Sequence, residues 1–290
     1  MKANILLLSA ALVAVVSATG QVSPITVGKS TTRHGPEKGS LIIIGGGGST
    51  PEIWKKFVEL AGGLEKANVV VVTTAVGDSA ATSQGTINML KKATGIQNVT
   101  LLHTGDLATA NSEAFVEPIR KATAVFFDGG RQWRPADSYL NTLAHQAFLD
   151  LLDRGGVIAG SSAGATIQGS FLWRGDTEGP EILIGDHTQG LGFLKNSVID
   201  QHLLARNRQF DMVDFIRQSP ELIGIGLDQA TAILVQRDTL EVIGKSYVAI
   251  YDAGSKSPFF FLSQGDRYDL AARRVIAPSV TGRPKTDNED

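Results

Sequence analysis

Short apolar runs alternate with amphipathic segments from position 41 onward. Four of these runs are rich in β-branched or aromatic residues and apolar at successive positions, which predicts strands buried on both faces: 41–44, 69–73, 124–127 and 157–159. Helical spacing of apolar residues predicts helices over 51–60 and 137–153. Strands that alternate with helices indicate repeated βα units, so we predict an α/β fold around a mostly parallel sheet.

Four further apolar runs lie close together in the second half of the chain, at 223–227, 232–236, 240–243 and 247–252. Their spacing predicts a meander that extends the sheet. We find no linker long enough to separate two domains. The predicted organisation is therefore an N-terminal extension over 21–39, a single domain over 40–279 and a flexible polar tail over 280–290.

The first twenty positions have the pattern of an export signal. Lys2 precedes the apolar run 5–16, and small residues follow at 17–20. This pattern predicts a signal peptide over 1–20 and a secreted or periplasmic protein. The run is shorter than the about 20 residues that cross a bilayer, so a retained anchor is the weaker interpretation. We expect no membrane span after cleavage.

Composition narrows the function classes. Lys and Arg number 27 against 29 Asp and Glu, which leaves no basic surplus for nucleic acid. The chain has no Cys, which excludes disulfides, Cys-ligated zinc and a thiol nucleophile. The glycine run 45–48 is predicted to be a structural turn, because Thr50 and Pro51 stand where a dinucleotide fingerprint needs its third glycine. We expect no metal and no cofactor.

The segment Gly160-Ser-Ser-Ala-Gly164 follows a predicted buried strand and matches the G-x-S-x-G pattern of a nucleophile elbow. In such a turn small neighbours let the central side chain point into a cleft, which makes Ser162 the candidate nucleophile. A tight turn with a serine helix cap is the alternative.

A serine hydroxyl needs a base, and histidine is the usual one. Of the five His, His202 follows a strand-like run downstream of the elbow, whereas His187 lies in a polar loop. With an ordinary histidine pKa, activity should fall below roughly pH 6 to 7. A carboxylate should orient the base; the residues alone leave four candidates between Ser162 and His202: Asp176, Glu178, Glu181 and Asp186.

Four segments occur in a fixed order along the chain: Phe127-Asp-Gly-Gly-Arg-Gln132, Gly160-Ser-Ser-Ala-Gly-Ala165, Gly175-Asp-Thr-Glu178 and Asp200-Gln-His-Leu-Leu-Ala-Arg-Asn-Arg208. Taken together, they resemble the cyanophycinase-type serine peptidases, relatives of the bacterial aspartyl dipeptidases. The resemblance covers about residues 40 to 255 and implies a flavodoxin-like three-layer α/β/α sandwich, similar to the class I glutamine amidotransferases, with serine in place of their cysteine.

The resemblance also implies residue roles. Ser162 would be the nucleophile, His202 the base and Glu178 the orienting acid. Backbone N–H groups of Gly130 and Ala163 would form the oxyanion hole. Substrate contacts would come from Gln132, Asp200, Gln201, Arg206 and Arg208, with the arginines suited to a carboxylate and Asp200 to an arginine-like cation.

Three positions depart from the family pattern. Arg131 stands where the family usually has Asn, Asp211 where it has a third Arg, and Gln229 where it has Glu. An amide cannot serve as an acid, so Glu178 is the expected third residue. Asp in place of Arg at position 211 reverses the local charge, so the identity of the substrate is not determined.

These features predict a secreted serine peptidase that cleaves peptide or isopeptide bonds at aspartyl residues through an acyl-enzyme. Cyanophycin, an aspartate backbone bearing arginines, and aspartyl or β-aspartyl dipeptides are both compatible substrates. An esterase and a catalytically inactive secreted binding protein are the alternatives. The oligomeric state stays open, with a homodimer as one candidate.

Overall fold

The computed structural model describes residues 33–78 and 84–276, so the predicted signal peptide, most of the N-terminal extension and the tail lie outside the described residues. The strands are β1 (Ser40–Ile44), β2 (Val69–Val72), β3 (Val99–Leu102), β4 (Ala124–Phe127), β5 (Val157–Ser161), β6 (Gly169–Phe171), β7 (Leu194–Gln201), β8 (Ile223–Leu227), β9 (Thr231–Gln236), β10 (Thr239–Gly244), β11 (Val248–Tyr251), β12 (Phe260–Leu262), β13 (Arg267–Asp269) and β14 (Arg274–Ile276). The helices are α1 (Pro51–Leu60), α2 (Gly85–Thr94), α3 (Leu107–Ala110), α4 (Glu113–Lys121), α5 (Trp133–Tyr139), α6 (Leu143–Asp153), α7 (Ala163–Thr166) and α8 (Val213–Gln218).

The central sheet has the strand order β14-β13-β10-β9-β1-β5-β4-β2-β3. Its half from β1 to β3 is parallel and contains the four strands predicted from apolar runs. Strands β1, β2 and β4 are buried along their whole length, because both faces of this half are covered. The other half, from β9 to β14, is antiparallel.

The predicted single meander is wrong. Strands β9 and β10 extend the central sheet, whereas β8 and β11 belong to a second sheet with the order β12-β11-β8-β7-β6. Glycines let β8 pack closely there: a Cβ at Gly224 would lie 2.9 Å from Met212 Sδ, and one at Gly226 would lie 2.7 Å from Leu203 Cδ1. Along the chain, β8 thus lies in the second sheet, β9 and β10 lie in the central sheet, and β11 lies in the second sheet again.

The helix predicted over 137–153 is also divided. Helix α5 ends at Tyr139, Asn141 adopts a positive φ of 59°, and Thr142 caps α6 by accepting a hydrogen bond from the His145 N–H at 3.3 Å. A capping threonine after a left-handed residue starts a new helix, and this local signal outweighs the apolar spacing that runs across it.

Alternating residues of β1 show how the layers are built. Leu41 and Ile43 belong to a core that also includes apolar residues of α4, α6 and the second sheet. Ile42 and Ile44 face α1, whose Trp54 ring packs 5.6 Å from that of Phe126. The second sheet buries its other face in a third cluster around Trp173. Among the described residues no helix is long and apolar enough to cross a membrane.

The topology brings several loops to one edge of the central sheet. The loops after β1, β4 and β5 follow the carboxyl ends of neighbouring parallel strands. The residues after β7 are tied to the same edge, because the His202 N–H donates to the Gly45 carbonyl at 2.9 Å. In open α/β sheets this edge is where ligands bind.

Candidate active site

Ser162 occupies the strained turn that the G-x-S-x-G pattern predicts. It joins β5 to α7 with φ 56° and ψ −115°, a conformation that costs a non-glycine residue about 1–3 kcal/mol. The neighbouring glycines leave no room for side chains: a Cβ at Gly160 would lie 2.1 Å from the Gly164 carbonyl oxygen, and one at Gly164 would lie 2.1 Å from that of Phe127. The turn is held because the Ser162 N–H donates to the Ile44 carbonyl at 3.0 Å.

His202 lies next to this serine. Its Nε2 is 3.0 Å from Ser162 Oγ, although 40 positions separate the two residues along the chain. The glycine run after β1 makes this approach possible, since a Cβ at Gly46 would lie 2.3 Å from the imidazole Cε1. The run predicted to be a structural turn is therefore also the surface on which the imidazole packs.

The other ring nitrogen of His202 faces Gln229. Gln229 Nε2 lies 2.9 Å from His202 Nδ1. The carbon chain of Gln229 packs so closely on the glycine run that a Cβ at Gly47 would lie 2.5 Å from its Cδ, and the N–H of Ala230 donates to the Gly46 carbonyl at 2.9 Å. Ser162, His202 and Gln229 thus form a continuous hydrogen-bonded row.

Glu178, the expected orienting acid, does not contact His202. Its side chain is exposed, and its N–H donates to Asp176 Oδ1 at 2.8 Å. The Asp176 carboxylate also accepts from the Asp186 N–H at 3.2 Å, so these hydrogen bonds join residues of the same loop. The expectation for Glu178 is therefore corrected: the amide of Gln229 occupies the place where the acid was expected. In the sequence Gln229 is rejected because an amide cannot serve as an acid, although an amide can still form a hydrogen bond to the imidazole.

Burial lowers the pKa of His202 to about 4, and the positive charges of Arg206 and Arg208 contribute in the same direction. Asp228 opposes this shift. Its carboxylate is already occupied, accepting from the Leu204 N–H at 3.1 Å and from Ser246 Oγ at 2.7 Å. The imidazole is consequently neutral at pH 7, the state that a general base requires.

Two backbone N–H groups near the serine have no acceptor among the described residues, those of Gly130 and Ala163. Gly130 has φ 139°, and a Cβ there would lie 2.1 Å from the Ala75 carbonyl oxygen. The adjacent Gly129 borders the nucleophile, since a Cβ there would lie 3.9 Å from Ser162 Oγ. Ala163 opens α7 directly after Ser162. The predicted oxyanion donors are therefore available.

Two of the predicted substrate contacts are engaged inside the protein. Gln132 is buried, and its Nε2 donates to the carbonyls of Trp173 at 3.0 Å and Arg174 at 2.7 Å. Asp200 is 1% exposed and accepts from Arg174 Nε at 3.0 Å. Asp200 is thus already paired with an arginine of this chain, and the expectation that it receives a cation from the substrate is corrected.

Asp211, which departs from the family pattern, binds the same arginine as Asp200. Asp211 accepts a hydrogen bond from Arg174 Nη2, and Arg174 Nη1 donates to the Pro180 carbonyl at 3.0 Å. Burial alone would lower the pKa of Arg174, but the charges and hydrogen bonds of Asp200 and Asp211 outweigh it and raise that pKa overall. The negative charge at 211 is therefore compensated within the protein.

Of the remaining predicted substrate residues, Arg208 is partly engaged inside the protein, since its Nη1 donates to the Gln201 carbonyl at 3.2 Å and lies 3.5 Å from Asp200 Oδ1. Gln201 Oε1 and Arg208 Nη2 are buried without a hydrogen-bond partner among the described residues. The ion-pair partner of Arg208 Nη2, Glu181 Oε1, is 3.8 Å away, and Arg206 is exposed. The turn after β7 thus combines the base His202 with two cationic side chains.

A groove of about 690 Å³ opens beside the elbow, large enough for a small ligand. Aromatic and aliphatic groups form much of its wall, and Ser161 marks its boundary with the nucleophile turn. Its lining residues are Gly48, Ser49, Trp54, Met89, Lys92, Ala93, Phe126, Asp128 and Ser161.

Comparisons with known proteins identify the family of this chain. Residues 41–243 match the model of Peptidase family S51. A cyanophycinase of Synechococcus elongatus is 30% identical over 280 residues, covering 88% of this chain and 86% of the relative. A cyanophycinase of Geminocystis herdmanii is 28% identical over 268 residues, covering 84% of this chain and 98% of the relative.

Solved structures show the same fold. A peptidase from an acI-B1 Actinobacterium superposes with a TM-score of 0.58 at 22% identity, covering 80% of this chain and 97% of that one. A putative peptidase E protein from Listeria monocytogenes superposes with a TM-score of 0.53 at 16% identity, covering 72% of this chain and 100% of that one. These likenesses confirm the predicted flavodoxin-like and amidotransferase-like fold class.

Ser162 in the elbow is hydrogen-bonded to a neutral imidazole at the edge of an open α/β sheet, and this is the arrangement of a serine hydrolase. The family match extends over most of the chain. The chain belongs to peptidase family S51, and it is a serine-type peptidase, as its sequence motifs predict.

Proposed function

We propose that the protein hydrolyses peptide or isopeptide bonds at aspartyl residues through an acyl-enzyme on Ser162. The observation that carries this proposal is the 3.0 Å distance between Ser162 Oγ and His202 Nε2. At this distance the serine proton can pass directly to the imidazole as the hydroxyl attacks, provided that the single proton of the neutral ring is on Nδ1.

The chemistry follows from the groups in the site. Ser162 Oγ bonds to the substrate carbonyl carbon while its proton moves to His202 Nε2, and the N–H groups of Gly130 and Ala163 stabilise the oxyanion. The carbon–nitrogen bond then breaks, and the proton on Nε2 moves to the leaving amine. Water, giving a proton to Nε2, attacks the resulting ester, and that proton returns to Ser162 Oγ as the acid product leaves.

The charges around the base support an acidic substrate residue. Arg208 Nη2 is buried without a hydrogen-bond partner among the described residues, and Arg206 is exposed two positions earlier. Guanidinium groups bind carboxylates, so an aspartyl carboxylate suits the two cationic side chains that follow His202. The relatives named cyanophycinases support a cyanophycin-type polymer or a short aspartyl peptide as the substrate.

Product analysis tests the proposal. The purified protein is incubated with cyanophycin, α-aspartyl dipeptides and β-aspartyl dipeptides, and the products are identified by mass spectrometry. We expect cleavage of at least one aspartyl class and no cleavage by Ser162→Ala, which keeps a small residue in the tight turn. Undiminished cleavage by that variant would contradict the mechanism, and hydrolysis of simple esters without any amide cleavage would favour an esterase.

The proposal includes export from the cytoplasm. It is supported by the apolar run 5–16 between Lys2 and the small residues at 17–20. Expression of the full chain in an exporting host should yield a mature protein that begins after Ala18 or Gly20. N-terminal sequencing measures this directly, and an intact N-terminus on protein retained in the cytoplasm would overturn the proposal.

A further inference from the structure

The residue that faces His202 Nδ1 is an amide, which can either donate or accept a hydrogen bond. In the structure Gln229 Nε2 lies 2.9 Å from Nδ1, so the amide donates and Nδ1 accepts. A neutral imidazole carries one proton. When Nδ1 accepts, that proton is on Nε2 and points toward Ser162 Oγ 3.0 Å away. In this arrangement His202 cannot take the serine proton.

The opposite arrangement needs only a turn of the amide. With Gln229 Oε1 toward Nδ1, the imidazole carries its proton on Nδ1 and donates it to the amide oxygen. Nε2 then presents a lone pair to the serine hydroxyl, which is the form that can act as a base. The two orientations of one side chain therefore correspond to a resting and a competent form of the same pair.

The surroundings hold the carbon chain of Gln229 but not the orientation of its amide. Cβ, Cγ and Cδ all pack on Gly47, where an added Cβ would lie 2.5 to 2.6 Å from them. The bond to His202 is the only hydrogen bond of this amide among the described residues. Turning the amide thus exchanges one hydrogen bond for another at the same place.

The charged groups around the imidazole do not replace an orienting acid. Arg206 and Arg208 disfavour a positive imidazole, and Asp228, the acid that favours it, is committed to the N–H groups of Leu204 and Ala205 and to a neighbouring serine hydroxyl. The tautomer of His202 is therefore left to the residue at Nδ1.

We propose that Gln229 is a positioning residue whose amide sets the tautomer of His202, with the proton on Nε2 in the resting enzyme and on Nδ1 in the enzyme that attacks. The inference rests on the proposed function, since it assigns His202 as the base of that reaction. A carboxylate at 229 accepts only, so Gln229→Glu locks the proton on Nδ1 and adds a charge that stabilises the imidazolium.

Two readouts on the full chain test this. In histidine-¹⁵N-labelled protein, the coupling pattern between the ring nitrogens and the carbon-bound ring protons identifies the tautomer of His202. We expect Nε2 to carry the proton in the unmodified protein and Nδ1 to carry it in Gln229→Glu. The second readout is the rate of fluorophosphonate labelling of Ser162 against pH. Gln229→Glu should label at least about 10-fold faster at pH 7, with about 10⁴-fold as the upper bound set by the converse acid-to-amide change in a serine protease triad.

Two variants serve as controls. Gln229→Met keeps a similar side-chain length but forms no hydrogen bond to His202 Nδ1. It should slow labelling about 10-fold or more, and the pH at which the labelling rate falls to half on the acid side should not rise. Gln97→Glu makes the same charge change on an exposed side chain whose amide donates to the Gly95 carbonyl, and it should match the unmodified protein.

The outcomes separate the inference from the proposed function. If Gln229→Glu changes neither the tautomer nor the pH profile while aspartyl peptides are cleaved, the inference is overturned and the function stands. If the tautomer moves as expected but no aspartyl peptide is cleaved, the inference stands and the function fails. If Gln229→Glu does not fold, Gln229→Met decides, because an unchanged labelling rate in that variant would exclude a positioning role.

Discussion

The acid side of the pH–rate profile should lie far lower than the profile of an ordinary histidine base. Burial lowers the pKa of His202 to about 4, so about 90% of the imidazole is still neutral at pH 5. With the ordinary pKa of 6.5 only about 3% would be neutral at that pH. The structure thus predicts a rate at pH 5 close to that at pH 7, and about 30-fold faster than an unperturbed base would allow. This replaces the expectation from sequence of a fall below roughly pH 6 to 7.

The assay is the second-order rate constant of fluorophosphonate labelling at Ser162 between pH 3.5 and 8, with folding checked by circular dichroism at each pH. A half-maximal rate near pH 6.5 would refute the reasoning, because it would mean that burial does not perturb the imidazole. A half-maximal rate near pH 4 to 5 agrees with it.

The same shift has a consequence for stability. The pKa of His202 is lower in the folded protein than in the unfolded chain, so the unfolded chain takes up the proton first as the pH falls. The stability that this group contributes is complete above about pH 6.5 and is lost as the pH falls toward 4. Between pH 6.5 and 5 the loss is at most about 2 kcal/mol. Urea unfolding of the protein and of His202→Gln at pH 6.5 and at pH 5 measures the part of this loss that comes from His202. An equal loss of unfolding free energy in the variant would contradict its assignment to His202.

Three further substitutions, one of them with a matched control, test the Arg174 ion pairs, the packing of His202 and the role of Glu178. Arg174→Met removes the main partner of the buried Asp200 carboxylate, which keeps only Arg208 Nη1 at 3.5 Å, and should reduce the free energy of unfolding by about 3–5 kcal/mol in urea; a loss below about 1 kcal/mol would show that the ion pairs of Arg174 are dispensable. Gly46→Ala places a Cβ 2.3 Å from the imidazole and should slow labelling of the nucleophile at least about 10-fold. Gly48→Ala is its control, since it has a similar positive φ and nothing within 4 Å, and equal effects would refute the clash. Glu178→Gln alters an exposed side chain and should change labelling less than about 2-fold; a large loss would return the orienting role to that acid.

Local patterns in the sequence are enough to predict the parallel half of the sheet and the elbow. The runs 41–44 and 124–127 are strands because their residues are buried on both faces, and this requirement is visible as unbroken apolar sequence. The elbow is visible because crowding around Ser162 permits only glycine at 160 and 164. These features depend on neighbours along the chain.

Features that depend on distant partners were not predictable. Arg174 pairs with Asp200 and Asp211, which lie 26 and 37 positions away, so no spacing rule connects them. The resemblance directed attention to an acid as the third residue, whereas the contact to His202 comes from Gln229, 27 positions beyond it. The placement of β8 and β11 in one sheet and of β9 and β10 in the other likewise depends on the strands that each pairs with, not on its own apolar pattern.

The central claim is that Ser162 forms a covalent bond with the substrate after passing its proton to His202. Intact-protein mass spectrometry on samples quenched within milliseconds of mixing with a cleaved aspartyl peptide tests this most directly. We predict a species heavier by the mass of the acyl group, mapped by peptide sequencing to Ser162 and absent in Ser162→Ala. Full turnover with the acyl group on another residue, or in Ser162→Ala itself, would contradict it.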